Sequence, residues 1–405
     1  MNILYFANID FYRKPNPSFH LMTSMMEFLL EQGDTIFYIG REDPALEKHI
    51  PDNLASHPNF HYRLIRTSAT PNNQFVKRYL SGIQYAIGAH KYLKEFMPKC
   101  EVIYMASTPT ILYNALVVKK IRREQKVVMN IQDMFPGSTI ASGKMPRKWM
   151  QRVFYFLQKK AYRIPDVIVG ISEDMRLKLI EQGVPREKTD VVLNWFDDRS
   201  VHEVAWEKNR FVSKYSMSPD KFYVQYAGTM GFVFDYKMVI EVAKRLKPYK
   251  DIVIQMIGMG SQRDEFETAV KASGLSNIVF LPLEPQEMVS DVYSACSVCL
   301  IPLKHGIIGN SVPSKVGLLM QCHRPIVTSS DEDSIYVQEI NDNRIGIACP
   351  DNRPDKVAEA ILYLYNNPKE RKEMGERGYK YGHVNYSSSY NLNKYRKLFQ
   401  QLINK

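Results

Sequence analysis

The segment from residue 301 to residue 327 combines the residue types that bind a phosphate group. Its order predicts a buried strand, a glycine-containing loop, a helix that starts near Pro313, and a second strand. Backbone N–H groups at a helix start and the positive end of the helix dipole attract anions, and the ammonium of Lys315 would add a full charge. The sequence therefore predicts a phosphate or diphosphate site here, although many strand-to-helix junctions of this composition bind nothing. The residues that we expect to contribute are Asn310, Ser311, Pro313, Ser314, Lys315 and, through its N–H group, Val316.

Two further glycine loops and one carboxylate follow predicted parallel strands. A loop at residues 228–231 follows one apolar run, Gly258 and Gly260 follow the next, and Asp133 follows a run in the first half of the chain. In open α/β sheets, ligands bind outside the carboxyl ends of the strands. We therefore expect these three places to meet ligands, although Asp133 could equally be a solvent-facing carboxylate in a turn.

Strands and helices that alternate along the chain would position these residues. The apolar run 2–9 predicts a buried parallel strand, a helix begins at Ser18, and a second strand follows Gly33. Such units build Rossmann-like sheets. The first loop lacks G-x-G-x-x-G, which argues against a nicotinamide dinucleotide enzyme. A chain of 405 residues suits two domains of this kind.

Composition narrows the class of protein. No run of about 20 apolar residues exists, so we expect no transmembrane helix, and the N-terminal residues suit a core strand better than a signal peptide. The five cysteines are scattered in apolar contexts, as expected for reduced thiols in the cytoplasm. Cys296 and Cys299 could form a redox or metal pair, but without a second pair they are better interpreted as small residues of a buried strand.

The positive charge is unevenly distributed. The net charge is +11, and residues 1–200 hold 28 Lys and Arg against 20 Asp and Glu, which predicts a surface that meets anionic phosphates. Residues 143–163 hold seven Lys and Arg and no acidic residue. This segment suits a helix lying on an anionic membrane, or an ordinary helix packed on the sheet with solvated basic residues. The residues assigned to a membrane or acceptor surface are Arg13, Lys14, Lys148, Trp149, Arg152, Phe156, Lys159 and Lys160.

These segments together resemble the GT-B glycosyltransferases of the GT4 type. The resemblance is closest to the subgroup that makes bacterial capsule, O-antigen and exopolysaccharide, in which G-x-x-x-P-S-K precedes a helix and a P-I-V strand. The Q-D-x-x-P run at 132–136 and the segment 168–197 resemble the same family. The matching residues of the main motif are Gly309, Pro313, Ser314, Lys315, Pro325, Ile326 and Val327.

The resemblance implies an α/β GT-B fold, with two Rossmann-like domains facing across a cleft. We expect an acceptor domain at residues 1–200 and a nucleotide-sugar donor domain at 201–385. Residues 386–405 would form a helix that crosses back onto the first domain.

The chain departs from the family where the donor diphosphate would bind. Relatives commonly carry an arginine where Thr229 stands, a lysine slightly before Lys237, and two glutamates where Asn310 and Leu318 stand. The cationic role would therefore fall mainly on Lys315, and Asn310 could hydrogen-bond a sugar hydroxyl. The implied donor-binding residues are Gly228, Thr229, Met230, Gly231, Lys237, Gly258, Gly260, Leu283, Glu284, Ser311, Pro313, Ser314 and Lys315.

The resemblance further implies a retaining sugar transfer. The expected donor is a nucleotide sugar, UDP-linked, and the expected acceptor is a polyprenyl-diphosphate-linked saccharide at the inner face of the cell membrane. Positioning and stabilisation of the leaving diphosphate would provide catalysis, with Asp133, Asn310 and Lys315 as candidate catalytic residues. No cofactor, metal or nucleic-acid partner is expected.

Three alternatives remain open. A sugar-nucleotide 2-epimerase has the same fold and a similar diphosphate site but needs no acceptor. A nucleic-acid-binding protein would explain the charge. A non-catalytic family member would explain the replacements at Thr229 and Leu318.

Overall fold

The computed structural model describes residues 1–9, 19–42, 50–67, 75–106, 108, 110–141, 143 and 145–404. The chain divides into two compact units. The first unit comprises Met1–Leu193 and Asn391–Lys405, and the second comprises Asn194–Tyr390. The boundaries expected after residues 200 and 385 thus differ from the observed divisions by a few residues.

The first unit is built on one parallel sheet. Its strands are β1 (Asn2–Phe6), β2 (Thr35–Glu42), β3 (Phe60–Arg66), β4 (Val102–Ala106), β5 (Lys126–Ile131), β6 (Val167–Gly170) and β7 (Thr189–Val191). Its helices before the C-terminal segment are α1 (Phe19–Glu31), α2 (Asp52–Ala55), α3 (Phe75–Phe96), α4 (Ile111–Ile121), α5 (Gly137–Ala141), α6 (Lys148–Ala161) and α7 (Glu173–Glu181). The strand order is β3-β2-β1-β4-β5-β6-β7, and Ile3 lies opposite Ile36 on one side and Val102 on the other.

The second unit contains a six-stranded parallel sheet. Its strands are β8 (Phe222–Ala227), β9 (Ile252–Ile257), β10 (Ile278–Leu281), β11 (Val298–Pro302), β12 (Ile326–Ser330) and β13 (Gly346–Pro350). The helices are α8 (Arg210–Lys214), α9 (Tyr236–Leu246), α10 (Arg263–Ala272), α11 (Val289–Ser294), α12 (Val316–Gln321), α13 (Ile335–Asp342), α14 (Pro354–Asn366) and α15 (Pro368–Asn385). The C-terminal helix α16 (Ser388–Ile403) begins at the end of this unit and belongs mostly to the first. The order is β10-β9-β8-β11-β12-β13. Successive strands are therefore added to one side of β8 up to β10 and to its other side from β11 onward. In open α/β sheets, ligands bind at the point where this direction reverses, which here lies between β8 and β11.

This architecture confirms the α/β fold class that the sequence predicts. Strands of this kind must be apolar because both faces of the sheet are covered, and Val224, Ile254 and Val327 are fully buried. Residues 198–218 contain α8 and pack in the second unit. There Arg210 is hydrogen-bonded to Asp291 at 3.0 Å.

The last helix joins the first sheet. The Asn130 amide of β5 donates to the Tyr395 hydroxyl at 2.8 Å, and the Arg396 guanidinium donates to Asp34 at 3.1 Å. Tyr395 is 2 % exposed. These buried contacts attach α16 to β5 and to the turn that precedes β2.

Helix α12, which follows the predicted phosphate loop, is held from behind by α15. A Cβ atom on Gly375 of α15 would overlap the carbonyl oxygen of His323, just after α12, and one on Gly382 would lie 2.7 Å from the Cβ of Met320. Gly378 has only ordinary contacts at 3.8 Å or more. The close approach of α15 to the end of α12 thus depends on particular glycines.

We expect Gly375→Ala to lower the free energy of unfolding by about 1–3 kcal/mol, because the methyl group meets backbone rather than a flexible side chain. Gly378→Ala, one turn away, should leave stability unchanged or raise it by up to about 1 kcal/mol through helix propensity. Chemical denaturation of both variants measures the difference. Equal effects would contradict the close approach.

Candidate functional site

The loops that follow β8 and β9 are in direct backbone contact. A Cβ atom on Gly258 would overlap the carbonyl oxygen of Gly228, and one on Gly260 would overlap backbone atoms of Met230. Gly258 and Gly260 also have φ values of 126° and 158°, which L side chains rarely adopt. Only glycine therefore fits at both positions, which explains the I-G-x-G run at the end of β9.

The ammonium of Lys315 lies against the first of these loops. Its Nζ donates to the carbonyl oxygen of Ala227, the last residue of β8, at 2.9 Å, and lies 3.5 Å from the centre of the Tyr226 ring. A Cβ atom on Gly228 would lie 2.8 Å from the same Nζ. A side chain from the loop after β11 thus reaches the end of β8, at the switch point of the sheet.

Burial lowers the pKa of Lys315 to about 7. The ammonium forms no ion pair with a carboxylate in the described part of the chain; a carbonyl oxygen and an aromatic face are its partners. Such neutral partners offset only part of the desolvation of a charge. A diphosphate at this position would supply the missing negative charge and favour the protonated lysine.

Backbone donors complete this corner of the site. Among the described residues, the N–H groups of Thr229 and Gly231 find no acceptor, and neither do those of Ser314 and Lys315. These four groups belong to the loop after β8 and to the turn before α12, so they are available to the oxygens of an anionic ligand.

Two N–H groups that we expected to be free are already bonded. Met230 donates to the carbonyl of Met259 at 2.8 Å, and Val316 donates to that of Pro313 at 3.3 Å. The helix also starts at Val316 rather than near Pro313. Residues 310 and 311 close a turn on the carbonyl of Ile307 instead, so the prediction of a helix start at residues 310–313 was wrong.

The loop between β11 and that turn is anchored to the ends of the next two strands. Asp331 accepts hydrogen bonds from the N–H groups of Gly306 at 2.7 Å and Ile308 at 3.0 Å. His305 Nδ1 lies 3.0 Å from Asp331 and 2.9 Å from Asp351. The ligand atoms of these three side chains lie within 4.8 Å of one another, a grouping that the sequence analysis did not anticipate.

Asn310 lies buried in this loop, 4 % exposed. Its Nδ2 donates to the carbonyl of Gly306 at 2.9 Å, whereas its Oδ1 is buried without a partner. An unsatisfied buried acceptor costs about 1–3 kcal/mol. Asn310 therefore offers an acceptor that a ligand hydroxyl would satisfy.

Two family models match the chain in tandem. The model described as Glycosyltransferase Family 4 matches residues 21–200, and that described as Glycosyl transferases group 1 matches residues 207–381. The chain belongs to the GT4-type glycosyltransferases of the GT-B fold.

Curated relatives of this glycosyltransferase are distant in sequence. The probable glycosyltransferase WbjE of Pseudomonas aeruginosa is 22 % identical over 294 residues, 71 % of this chain and 72 % of its own length. WcaI of Escherichia coli K12, whose name assigns it to colanic acid biosynthesis, is 26 % identical over 195 residues, 47 % of this chain and 48 % of its own. These matches favour sugar transfer over the epimerase and nucleic-acid-binding alternatives.

Solved structures share the fold over the whole chain. Sucrose-phosphate synthase from Thermosynechococcus elongatus superposes with a TM-score of 0.77 at 14 % identity, covering 100 % of both chains. HepE from Anabaena, solved in complex with UDP-glucose, has a TM-score of 0.74 at 14 % identity and covers 99 % of this chain and 100 % of its own.

Three side chains that sequence reasoning missed brace the loops after β8 and β9 of the glycosyltransferase. Gln262 donates to the carbonyls of Gly231 and Phe234 and accepts from the Lys304 ammonium at 3.0 Å. Arg263 donates to the carbonyls that end β9 and β10. Their position in the sequence could have identified them, because all three come shortly after the carboxyl ends of parallel strands.

Other predicted donor residues occupy different surroundings. The carboxylate of Glu284 is bound by Lys214 at 2.8 Å and by the Tyr215 hydroxyl. Burial alone would raise the pKa of Glu284, but these two partners lower it below the ordinary value. Only the backbone of Glu284 therefore remains for a ligand. Leu283 is 38 % exposed, and Lys237 is exposed at the start of α9.

The predicted residues of the first unit lie on its surface. Asp133 is exposed two residues beyond the end of β5, while Arg13 and Lys14 lie outside the described residues. Helix α6 buries Gln158 and Ala161. Its outward stripe is Trp149, Val153 and Phe156, which are 62 %, 45 % and 57 % exposed.

The basic residues assigned to this surface also face outward. Lys148, Arg152, Lys159 and Lys160 are all exposed. The Lys160 ammonium lies 4.4 Å from the centre of the Phe156 ring. Among the described residues, no helix combines the length and apolar character needed to cross a bilayer.

Replacing Lys315 by methionine removes a charge that the folded protein accommodates poorly. The pKa of Lys315 is about 7 in the folded state against an ordinary value of 10.5. The unfolded chain therefore binds more protons between these values, and the wild type gains stability as pH rises through this window.

We expect Lys315→Met to be more stable than the wild type by about 1–3 kcal/mol near pH 7, after allowance for the screening of a half-buried residue. The difference should shrink as pH rises towards 10.5, the ordinary pKa of lysine, because the unfolded chain then loses this proton at little cost. Chemical unfolding across this pH range measures it. A difference that stays constant with pH would contradict the argument.

Proposed function

We propose that this glycosyltransferase moves a sugar from a UDP-sugar to a lipid-linked saccharide during the synthesis of cell-surface polysaccharide, with retention of anomeric configuration. The observation that carries the proposal is the Lys315 ammonium, which lies at the switch point of the second sheet and has no carboxylate partner among the residues that the structure describes. The name of WcaI and the UDP-glucose complex of HepE support the choice of pathway and donor.

The donor diphosphate would occupy the corner between the loop after β8 and the turn before α12. Lys315 supplies the positive charge there, and the N–H groups of Thr229, Gly231 and Ser314 supply directed donors. Such groups stabilise the charge that develops on a leaving diphosphate, and they are fixed before the reaction begins. In this proposal protein cations neutralise the diphosphate, and no metal ion is required.

The sugar of the donor would lie against the loop of Asn310. One hydroxyl donates to Asn310 Oδ1, the acceptor that is buried without a partner. The backbone of Gly258 and Leu281, held by Arg263, lies on the far side of the loop after β8 and would flank the nucleotide base. Contacts at both ends of its diphosphate would thereby orient the donor. A reactant that is oriented before the reaction loses less entropy on the way to the transition state, so the activation barrier is lower.

The acceptor would be presented at the surface of a membrane on which α6 rests. The exposed stripe of Trp149, Val153 and Phe156 would enter the interface, and the flanking Lys148 and Arg152 would meet anionic headgroups. An apolar stripe of this kind on a free surface is unfavourable in water and is typical of an interaction site. We infer that the enzyme works at the cytoplasmic face of the membrane, where lipid-linked saccharides are exposed.

UDP and UDP-sugars should raise the melting temperature of the wild type, and Lys315→Ala should lose most of this effect, because a charge-assisted contact is removed. Lys271→Ala, which removes an exposed cation from the end of α10, serves as the matched control and should behave as wild type. Calorimetric binding should weaken as pH rises above about 7, since Lys315 must take up a proton on binding. Equal stabilisation of Lys315→Ala and wild type would exclude the assigned role.

Trp149→Ser combined with Phe156→Ser should weaken binding to vesicles of phosphatidylcholine and phosphatidylglycerol by about tenfold or more, because apolar area at the interface is lost. Tyr363→Ser with Val384→Ser, which removes two exposed apolar residues from the second unit, is the control. Co-sedimentation measures both. If the two double variants bind alike, α6 is not the membrane surface.

A further inference from the structure

A cavity of about 360 Å³ lies in the first unit, between the end of α6 and the turn that joins α7 to β7. We refer to it as the α6–α7 cavity. Lys159, Arg163 and Lys188 line it together with Tyr155 and Tyr162, and no acidic residue contributes to its wall. Its volume is within the range of sites for small molecules.

The three cations of the cavity have no partner of opposite charge among the described residues. No side chain there forms an ion pair with Lys159, Arg163 or Lys188, whereas Arg122 of the same unit is paired with Asp166 at 2.7 Å. The Lys159 ammonium extends to 3.9 Å from the place of a Cβ on Gly183, which also lines the cavity. The charge of Lys159 is therefore directed towards the cavity.

The C-terminal ends of two helices explain only some of the cations that line the cavity. Helices α6 and α7 both end beside the cavity, and a cation near a helix C-terminus gains about 0.3–1 kcal/mol. That effect would place Lys159 and Arg163 here, but it requires neither Lys188 nor a cavity. The cavity also has a polar floor, since Gln158 and Tyr162 are each 6 % exposed and Gln158 donates to the Tyr162 hydroxyl at 2.6 Å.

We propose that the α6–α7 cavity binds a phosphate group carried on a small polar body of about the size of glycerol phosphate. Three unpaired cations match the charge of a phosphate, the guanidinium of Arg163 suits its paired oxygens, and the tyrosine rings suit the adjoining carbon atoms. This site lies in the first unit, apart from the donor loops of the second, and its occupancy is independent of the proposed sugar transfer.

The geometry of α6 decides which sources of phosphate must be tested. At 100° per residue, Lys159 lies between the side of α6 that faces the cavity and the outward stripe of Trp149, Val153 and Phe156. The cavity therefore borders the surface that would rest on a membrane. An anionic phospholipid headgroup could enter from that side, and a soluble phosphate ester could enter from water.

The test uses two double variants of the full chain with the same change in net charge. Lys159→Gln with Lys188→Gln removes two cations that line the cavity. Lys160→Gln with Arg186→Gln removes their neighbours, which belong to the same helix and the same helical turn but do not line it. Equal melting temperatures show that both are folded. The probes are glycerol 3-phosphate by calorimetry, and vesicles of phosphatidylcholine with or without phosphatidylglycerol by co-sedimentation.

We expect the cavity variant to bind at least one probe about tenfold more weakly than the control variant, as for the loss of charge-assisted contacts. A difference confined to phosphatidylglycerol vesicles identifies a lipid headgroup, and one confined to glycerol 3-phosphate identifies a soluble ester. If the two variants bind both probes equally, the cations act only through general charge and the proposal is overturned. Donor binding in the second unit is measured separately by UDP, so the two proposals fail independently.

Discussion

The second unit is organised around one desolvated ammonium group. Lys315 leaves a loop at the end of β11 and ends against the last carbonyl of β8, where no carboxylate neutralises it within the described residues. Burial lowers the pKa of Lys315 to about 7, which means that the folded chain disfavours the charged form. The same desolvation would strengthen the attraction of the ammonium to a ligand of opposite charge.

The surrounding backbone keeps this ammonium in place. The loops after β8 and β9 contact each other through glycines that tolerate no side chain, and Gln262 ties the first loop to Lys304 beyond β11. Behind them, α15 presses on the end of α12 through Gly375. Loops held in this way would need little rearrangement to bind a diphosphate, and fixed donors are a source of electrostatic catalysis.

The first unit has a different physical character. Its charge excess is carried on exposed helices, and α6 leaves an apolar stripe uncovered although its inner face is packed. The same helix contributes cations to a cavity without acidic walls. Apolar and cationic surfaces side by side would suit contact with phosphate-bearing lipids.

The sequence by itself determined the alternating buried strands and the placement of Lys315 just beyond a strand end, because both follow from the local apolar pattern. Only the backbone contacts with Gly228 and Met230 explain the glycines at residues 258 and 260. The sequence did not determine where α12 begins, because the N–H groups of Asn310 and Ser311 form a turn on the carbonyl of Ile307 instead of starting the helix. Only the tertiary structure decided that Lys315 reaches Ala227, that Glu284 is bound by Lys214, and that Trp149 faces outward. These outcomes depend on side chains that lie far apart in the chain and meet only when the sheets form, and on which face of a helix its neighbours leave uncovered.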